Sequence, residues 1–179
     1  HFSYTFDEET GCLGAPLVLA DLKKRNLDFS ACIIGEPTNM KAIVANKGYN
    51  EYVTHFTGLS GHASNPDSGI SAIEYALEYS NKLMELKKQL IKRKTNNRLF
   101  SPPYSTLQIG KISGGIGANV IADKCSLEWE VRPINKDDSD FVTKNIDDFV
   151  KEILLPKIKK NNSKGNIEKK VIGEVVGFN

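Results

Sequence analysis

The fold is decided by one stretch of sequence, Cys125-Ser126-Leu127-Glu128-Trp129-Glu130-Val131-Arg132. Apolar and polar side chains alternate along it without a break, so successive residues would point to opposite faces of a strand. This pattern is typical of an antiparallel sheet that packs one face on a core and leaves the other face in solvent. Arg132 would then lie on the open face.

The segments on both sides of this strand complete an order of elements. Residues 49–57, 105–112 and 167–176 are rich in β-formers and predict three further strands. Apolar residues with a 3.6-residue period predict helices over 73–91 and 137–154. From residue 49 the order is therefore β-α-β-β-α-β, the ferredoxin-like arrangement in which two helices cover one face of a four-stranded antiparallel sheet.

The first part of the chain has the pattern of an α/β domain. We expect a strand that ends at residue 6, a helix over 11–24 and a second strand over 29–34. Carboxylates follow both strands, and sheets of this class place ligands beyond the carboxyl ends of their strands. The sequence thus predicts two domains, residues 1–46 and residues 47–179.

The two acidic turns are candidate ligand sites. Asp7-Glu8-Glu9 follows the first strand, and Glu36 stands between a glycine and a proline after the second. One interpretation is that Asp7 caps the helix, with acids in its first turn. The other is that Glu8, Glu9 and Glu36 meet at one sheet edge, where carboxylates can ligate zinc, usually together with His. No H-x-D or H-x-x-x-H pair is present to complete such a centre.

Three polar residues in the second domain are further candidates. His62 lies in a Gly- and Ser-containing loop, and is either simply exposed or an imidazole donor that polarises a carbonyl. Asn119 follows the glycine turn Gly114-Gly115-Ile116-Gly117. Arg132 is either a solvated residue paired with Glu128 or Glu130, or a fork for a substrate carboxylate.

Composition excludes several classes of protein. The net charge is +2, too small to indicate a nucleic-acid or membrane partner, and no apolar run approaches the roughly 20 residues of a membrane span. The aromatic signature of RNA-binding ferredoxin-like modules is absent from the sequence. The three cysteines form no C-x-x-C pair, so we expect buried free thiols and a cytoplasmic location. The first residue is not Met, which fits a piece of a longer chain.

Seven stretches together resemble the acetylornithine deacetylase, succinyl-diaminopimelate desuccinylase and carboxypeptidase family of dinuclear zinc hydrolases. They occur in family order and cover most of the chain, and the GEPT and YSTLQIG stretches look most like the acetylornithine branch. The stretches are FDEETGCLGA (6–15), IIGEPT (33–38), NKG (46–48), SGHAS (60–64), PYSTLQIG (103–110), GGIGANV (114–120) and EVRP (130–133).

The resemblance implies a role for each candidate residue. Glu8 would be the general base, and Glu9 and Glu36 would each ligate one of two zinc ions, with cobalt as a possible substitute. His62 would reach across a homodimer into the partner's active site and stabilise an oxyanion. The remaining substrate contacts would come from Asn119 and Arg132, on the substrate carboxylate, and from Lys47.

The same resemblance implies an α/β fold made of part of a catalytic zinc-binding domain, residues 1–46, and a ferredoxin-like lid and dimerisation domain, residues 47–179. The family's upstream H-x-D pair, bridging Asp and downstream His are absent from these residues, and Asn46 stands where this branch often carries His. We expect the fragment to bind zinc poorly and to be inactive alone.

For the parent enzyme we expect hydrolysis of an N-acyl amino acid, first of all N-acetylornithine to ornithine and acetate for arginine synthesis. The alternatives are a succinyl-diaminopimelate desuccinylase or a dipeptidase, or, for the isolated fragment, a non-catalytic dimerisation module.

Overall fold

The computed structural model describes residues 2–9, 11–96, 98–161 and 165–178. The chain divides into two compact units, His1–Ala42 and Ile43–Asn179. Asn46 belongs to the second unit, since its backbone N–H and C=O both bond to Phe178, at 2.8 and 2.9 Å.

The second unit confirms the predicted ferredoxin-like fold. Its four long strands form one antiparallel sheet in the order β3-β5-β1-β6, and a short ribbon pairs β2 with β4. The strands are β1 (Tyr49–Thr57), β2 (Gly61–His62), β3 (Thr106–Gly114), β4 (Val120–Ile121), β5 (Lys124–Arg132) and β6 (Asn166–Val175). The helices of this unit are α2 (Ala72–Lys92) and α3 (Lys136–Phe149), which continues through a π-helical turn (Val150–Leu154) into α4 (Leu155–Asn161).

The core lies between the sheet and the helices, on the face that the alternation in β5 predicts. Trp129 is buried, stacks on Tyr52 at 4.3 Å between ring centroids, and donates from Nε1 to Thr54 Oγ1 at 3.0 Å. Thr54 in turn donates to the hydroxyl of Tyr79 on α2, at 3.2 Å. Burial raises the pKa of Tyr79 above its ordinary value of 10.0.

Both long helices begin at side-chain caps. Ser71 Oγ accepts from the backbone N–H of Glu74, and Asn135 Oδ1 accepts from that of Asp138 at 2.8 Å. Each cap satisfies a backbone N–H that the first helical turn leaves without a partner.

A buried polar network ties the end of α2 to the start of α3. The carboxylate of Asp138, 2% exposed, accepts from Arg93 Nε at 2.6 Å and from Ser105 Oγ at 2.5 Å. Ser105 Oγ also accepts from the backbone N–H of Ile134 at 2.9 Å. The charge of this buried carboxylate is thus matched by one cation and one hydroxyl donor.

The first unit differs from the sequence-based prediction. Its helix, α1, spans Ala15–Lys24 and starts later than residue 11, because Cys12 has a φ of 57°, which no α-helix accommodates. The strands predicted up to residue 6 and over 29–34 are not formed. A strand needs a neighbour to bond its N–H and C=O groups, and no described segment of this unit pairs in that way.

Two further observations concern the chain as a whole. Cys125 is buried as expected, whereas Cys12 and Cys32 are exposed, so the prediction of burial is wrong for those two thiols. Within the described ranges, no helix has the length and apolar character needed to cross a bilayer.

Candidate functional site

Two predicted site residues, His62 and Asn119, lie together on the short ribbon. His62 pairs with Val120, and the backbone N–H of Ala63 donates to the carbonyl of Asn119 at 3.0 Å. The glycine turn makes this approach possible, since Gly115 has a φ of 74°, a conformation that favours glycine. Sequence alone predicted both residues as candidates but not their pairing.

The imidazole of His62 has a defined orientation. The backbone N–H of Ser64 donates to Nδ1 at 3.2 Å, and the Ser64 hydroxyl lies 2.7 Å from the same atom. Because a backbone N–H can only donate, Nδ1 is the acceptor and Nε2 carries the ring proton. The exposed imidazole therefore presents an N–H donor to solvent.

The ribbon is fixed to the start of α2. The N–H of Ala72 donates to the carbonyl of Ala122 at 2.7 Å, and Leu59 pairs with Ile70. Gly69 packs so tightly that an added Cβ would lie 2.7 Å from both the Ile121 side chain and the Leu59 carbonyl. His62 is thus an exposed group on an anchored support.

Arg132 lies on the open face of the sheet, as predicted. Glu130 Oε2 accepts from Arg132 Nε at 3.1 Å and lies 2.9 Å from Nη2. The guanidinium carbon lies 4.4 Å from the centroid of the Tyr49 ring, and the Tyr49 hydroxyl bonds to the Glu51 carboxylate. One interpretation of the sequence is an ion pair of Arg132 with either Glu128 or Glu130, and the structure shows the pair with Glu130. About half of the Arg132 side chain remains exposed.

The ribbon and Arg132 lie at opposite ends of the sheet. Lys124 begins β5 beside Thr57, next to the ribbon, whereas Arg132 ends it beside Thr106. The two ends of β5 are about 26 Å apart at roughly 3.3 Å per residue. One copy of this unit cannot place both Asn119 and Arg132 on the carboxylate of a single amino-acid derivative.

Lys47, the third predicted substrate contact, is engaged within the protein. Its Nζ donates to the backbone carbonyl of Tyr104 at 2.7 Å and lies 5.9 Å from the centroid of the Tyr104 ring. Partial burial lowers the pKa of Lys47 below its ordinary value. This contact holds the 101–105 segment against the start of β1.

Glu8 and Glu9 lie in a closed loop before α1. The N–H of Cys12 donates to the carbonyl of Glu8 at 3.0 Å, and that of Gly14 donates to the carbonyl of Phe6 at 3.1 Å. Gly14 occupies the N-cap position of α1, so the interpretation that Asp7 caps this helix is wrong. Both glutamate side chains are exposed.

The structure does not gather the predicted metal ligands. Glu36 is exposed in a tight turn in which its carbonyl accepts from the N–H of Thr38 at 2.9 Å. Across residues 2–9, 11–96, 98–161 and 165–178, no three His, Cys, Asp or Glu side chains form a group able to hold a metal ion. The strands that would bring Glu8, Glu9 and Glu36 to one edge are not formed, so the carboxylates of this chain do not fit a metal ion by themselves.

Several residues of these sites were not identified from the sequence. Ser64 could have been, since a hydroxyl two residues after His62 is a common local partner. Tyr49 could not, because its contact with Arg132 depends on the register in which Asn50 pairs with Val131. Side-chain partners across strands depend on which strands pair and in which register, and the sequence analysis assigned neither for β1 and β5.

Comparison with known proteins identifies the fold and the family. Residues 44–157 match the family model M20_dimer, described as a peptidase dimerisation domain. The chain belongs to this M20 peptidase dimerisation-domain family. The match includes Lys47, the ribbon and Arg132, so the M20 domain of this chain carries four of the predicted site residues, Lys47, His62, Asn119 and Arg132.

Two curated relatives of the M20 chain bear the name acetylornithine deacetylase. The chain is 40% identical over 149 residues to an acetylornithine deacetylase of Aliivibrio fischeri (strain ATCC 700601 / ES114), covering 83% of this chain and 38% of the relative. It is 39% identical over 152 residues to an acetylornithine deacetylase of Proteus mirabilis (strain HI4320), covering 85% and 37%. The M20 chain therefore spans less than two fifths of the length of these relatives.

Solved structures share the fold at low sequence identity. An amidase of the hydantoinase/carbamoylase family from Burkholderia multivorans has a TM-score of 0.60 at 14% identity, covering 75% of this chain and 29% of that one. Aminopeptidase PepT from Bacillus cereus ATCC 10987 has a TM-score of 0.51 at 19% identity, covering 76% and 32%. At these identities the likeness shows the fold alone.

Proposed function

We propose that this chain is part of an acetylornithine deacetylase, which hydrolyses N-acetylornithine to ornithine and acetate in the cytoplasm, for arginine synthesis. The observation that carries the proposal is the 40% identity over 149 residues to a curated acetylornithine deacetylase, an identity that extends over 83% of this chain. The YSTLQIG and GEPT stretches support the same branch.

In this proposal the M20 domain contributes to two active sites. His62 and Asn119, on the ribbon, act together in the site of the partner subunit, where the Nε2 proton of His62 stabilises the oxyanion of the tetrahedral intermediate and Asn119 binds the substrate carboxylate. Arg132, at the far end of β5, binds the substrate carboxylate in a different site. The length of β5 supports this division. A strand rises roughly 3.3 Å per residue, so β5 separates the ribbon from Arg132 by about 26 Å.

The acidic residues belong to the chemistry of the intact protein. We assign Glu8 as the general base on the attacking water, and Glu9 and Glu36 as two ligands of a centre of two zinc ions, which cobalt could replace. The other ligands would come from parts of the protein outside this sequence. Zinc would supply Lewis acidity to the carbonyl and to the water. Lys47 acts near the substrate through the segment that it holds.

A second copy of the M20 domain is the proposed partner, and one surface suits it. Leu77, Met84 and Ile91 follow one line along α2 and are 52%, 46% and 42% exposed. Ile91 and residues 104–108 line one groove, so this stripe runs beside the free edge of strand β3. Pairing of two β3 edges with two such stripes would bury apolar surface and unpaired backbone groups together.

The test is an assay of the intact protein with three substrates: N-acetylornithine, N-succinyl-diaminopimelate and a dipeptide. The proposal expects turnover of N-acetylornithine at a kcat/KM well above the other two. A preference for the succinyl compound or the dipeptide would replace the assignment with one of those activities. The chain of residues 1–179 alone is expected to bind zinc weakly by calorimetry and to show no turnover.

A further inference from the structure

The surroundings of Arg132 restrain its guanidinium on two sides. Glu130 occupies the edge formed by Nε and Nη2, with its Oε2 at 3.1 and 2.9 Å. The ring of Tyr49 covers one face, 4.4 Å from the guanidinium carbon. A planar group held at one edge and one face has little freedom to rotate.

The Tyr49 ring is itself held in place. Its hydroxyl bonds to the carboxylate of Glu51, two residues along β1. On the neighbouring strand β6, Gly173 stands where an added Cβ would lie 3.0 Å from Cε1 of the ring. The absence of a side chain at Gly173 therefore leaves the space that the ring occupies, and the aromatic support of Arg132 is built from two strands.

One edge of the guanidinium remains free to act. A guanidinium carries a second donor pair on the end formed by Nη1 and Nη2. In the part of the chain that the structure describes, Glu130 is the one carboxylate that contacts Arg132, and it uses the other edge. Because nearly half of the Arg132 side chain is exposed, the end edge can receive a carboxylate in the two-bond geometry.

We propose that Tyr49 and Glu130 are positioning residues, which hold Arg132 so that its free end edge selects substrates carrying an α-carboxylate. This inference rests on the proposed function, in which Arg132 binds that carboxylate. It adds two residues that touch neither the substrate nor the reacting atoms. They set substrate specificity through a third residue, Arg132. Preorganisation of this kind strengthens binding by reducing the ordering that the substrate must impose.

The negative charge of Glu130 and its position have opposite effects. Its charge weakens the attraction of Arg132 for another carboxylate, whereas its oxygen fixes the guanidinium plane. Glu130→Gln removes the charge and keeps the acceptor oxygen, while Glu130→Ala removes both. Tyr49→Phe likewise keeps the ring over Arg132, and Tyr49→Ala removes it. The positioning role thus predicts that the alanine variants are impaired and that the conservative variants are not.

The kinetic experiment compares two amides in the intact protein, N-acetylornithine and N-acetylputrescine, which is the same amide without the carboxylate. Tyr49→Ala and Glu130→Ala should raise KM for N-acetylornithine about 10-fold with kcat nearly unchanged, and should leave kcat/KM for N-acetylputrescine as it was. Tyr49→Phe should retain the wild-type KM for both amides. Glu130→Gln should raise KM for neither amide, and should lower it for N-acetylornithine because the competing charge is gone. Equal losses on both amides would reduce the two residues to structural roles and overturn the proposal.

The variant Arg132→Met distinguishes failure of the positioning role from failure of the proposed function. If it abolishes the preference for N-acetylornithine while Tyr49→Ala and Glu130→Ala leave KM unchanged, the positioning role fails and the proposed function stands. If Arg132→Met leaves the preference intact, the role of Arg132 in the proposed function fails.

On the chain itself, the Nε–H signal of Arg132 in 15N-labelled protein should be sharp, and should broaden in both alanine variants. A signal unaffected by both would also overturn the positioning role.

Discussion

His62 pairs with Val120 across the short ribbon, and this pairing places the next residue, Ala63, opposite Asn119. The carbonyl of Asn119 accepts from the N–H of Ala63, so the two candidate residues are joined through the backbone. Both are exposed, although the ribbon that carries them is anchored to the start of α2. A site built in this way can project into another protein surface without loss of geometry.

The Nε2 proton of His62 is expected to matter for the rate and not for the fold. His62→Ala in the intact protein should lower kcat by about 10²–10³-fold, the usual effect of removing one oxyanion donor. Its melting temperature should stay the same, because the side chain is exposed. Ser64→Ala is the matched control: the backbone N–H still bonds to Nδ1, so kcat should fall much less. Equal losses in the two variants would contradict the assigned orientation.

The buried carboxylate of Asp138 is expected to contribute measurably to the stability of the second unit. Asp138→Ala leaves Ser105 without its acceptor and removes the partner of Arg93, whose side chain is 41% exposed, which should lower the free energy of unfolding by about 1–3 kcal/mol. Urea unfolding of the chain measures this loss. Asp137→Ala, one residue away and exposed, should change the free energy by no more than about 0.5 kcal/mol. Similar values for the two variants would contradict the role of the network.

The raised pKa of Tyr79 predicts a loss of stability at high pH. Above pH 10.0 the unfolded chain releases the Tyr79 proton while the folded chain keeps it, so the unfolded state binds fewer protons and stability falls as pH rises. The difference in unfolding free energy between wild type and Tyr79→Phe should therefore shrink above that pH, by up to about 1.4 kcal/mol per pH unit. A constant difference up to about pH 11.5 would mean that Tyr79 ionises as readily in the folded chain.

The exposed stripe on α2 should control self-association. Met84→Glu places a charge in the middle of the stripe and should convert dimers of the chain to monomers in sedimentation velocity at micromolar concentration. Ile172→Glu, at an equally exposed position on the opposite sheet edge, should leave the dimer intact. The reverse result would move the interface to β6.

The sequence predicts the second unit well because its elements carry their own signals. The alternation in residues 125–132 predicts which face of β5 is buried, and the 3.6-residue period of apolar residues predicts both long helices. The first unit is predicted poorly for a physical reason. Ile33 and Ile34 have strand-forming side chains, but a strand exists only where another strand pairs with it.

The same distinction applies to the candidate sites. His62, Asn119 and Arg132 stand out in the sequence as polar residues near turns and strand ends. Their grouping does not, since it depends on which strands pair and in which register. Two of them lie on one ribbon, while the third lies at the far end of β5 beside Tyr49.

The most direct test mixes inactive subunits of the intact protein. If His62 and Asn119 serve the partner's site and Arg132 does not, His62→Ala mixed with Arg132→Met should regain activity after subunit exchange. Random pairing would restore roughly a quarter of the wild-type activity, because about half of the dimers hold one complete site. His62→Ala mixed with Asn119→Ala should stay inactive. Recovery in the second mixture, or none in the first, would contradict the division of these residues between two sites.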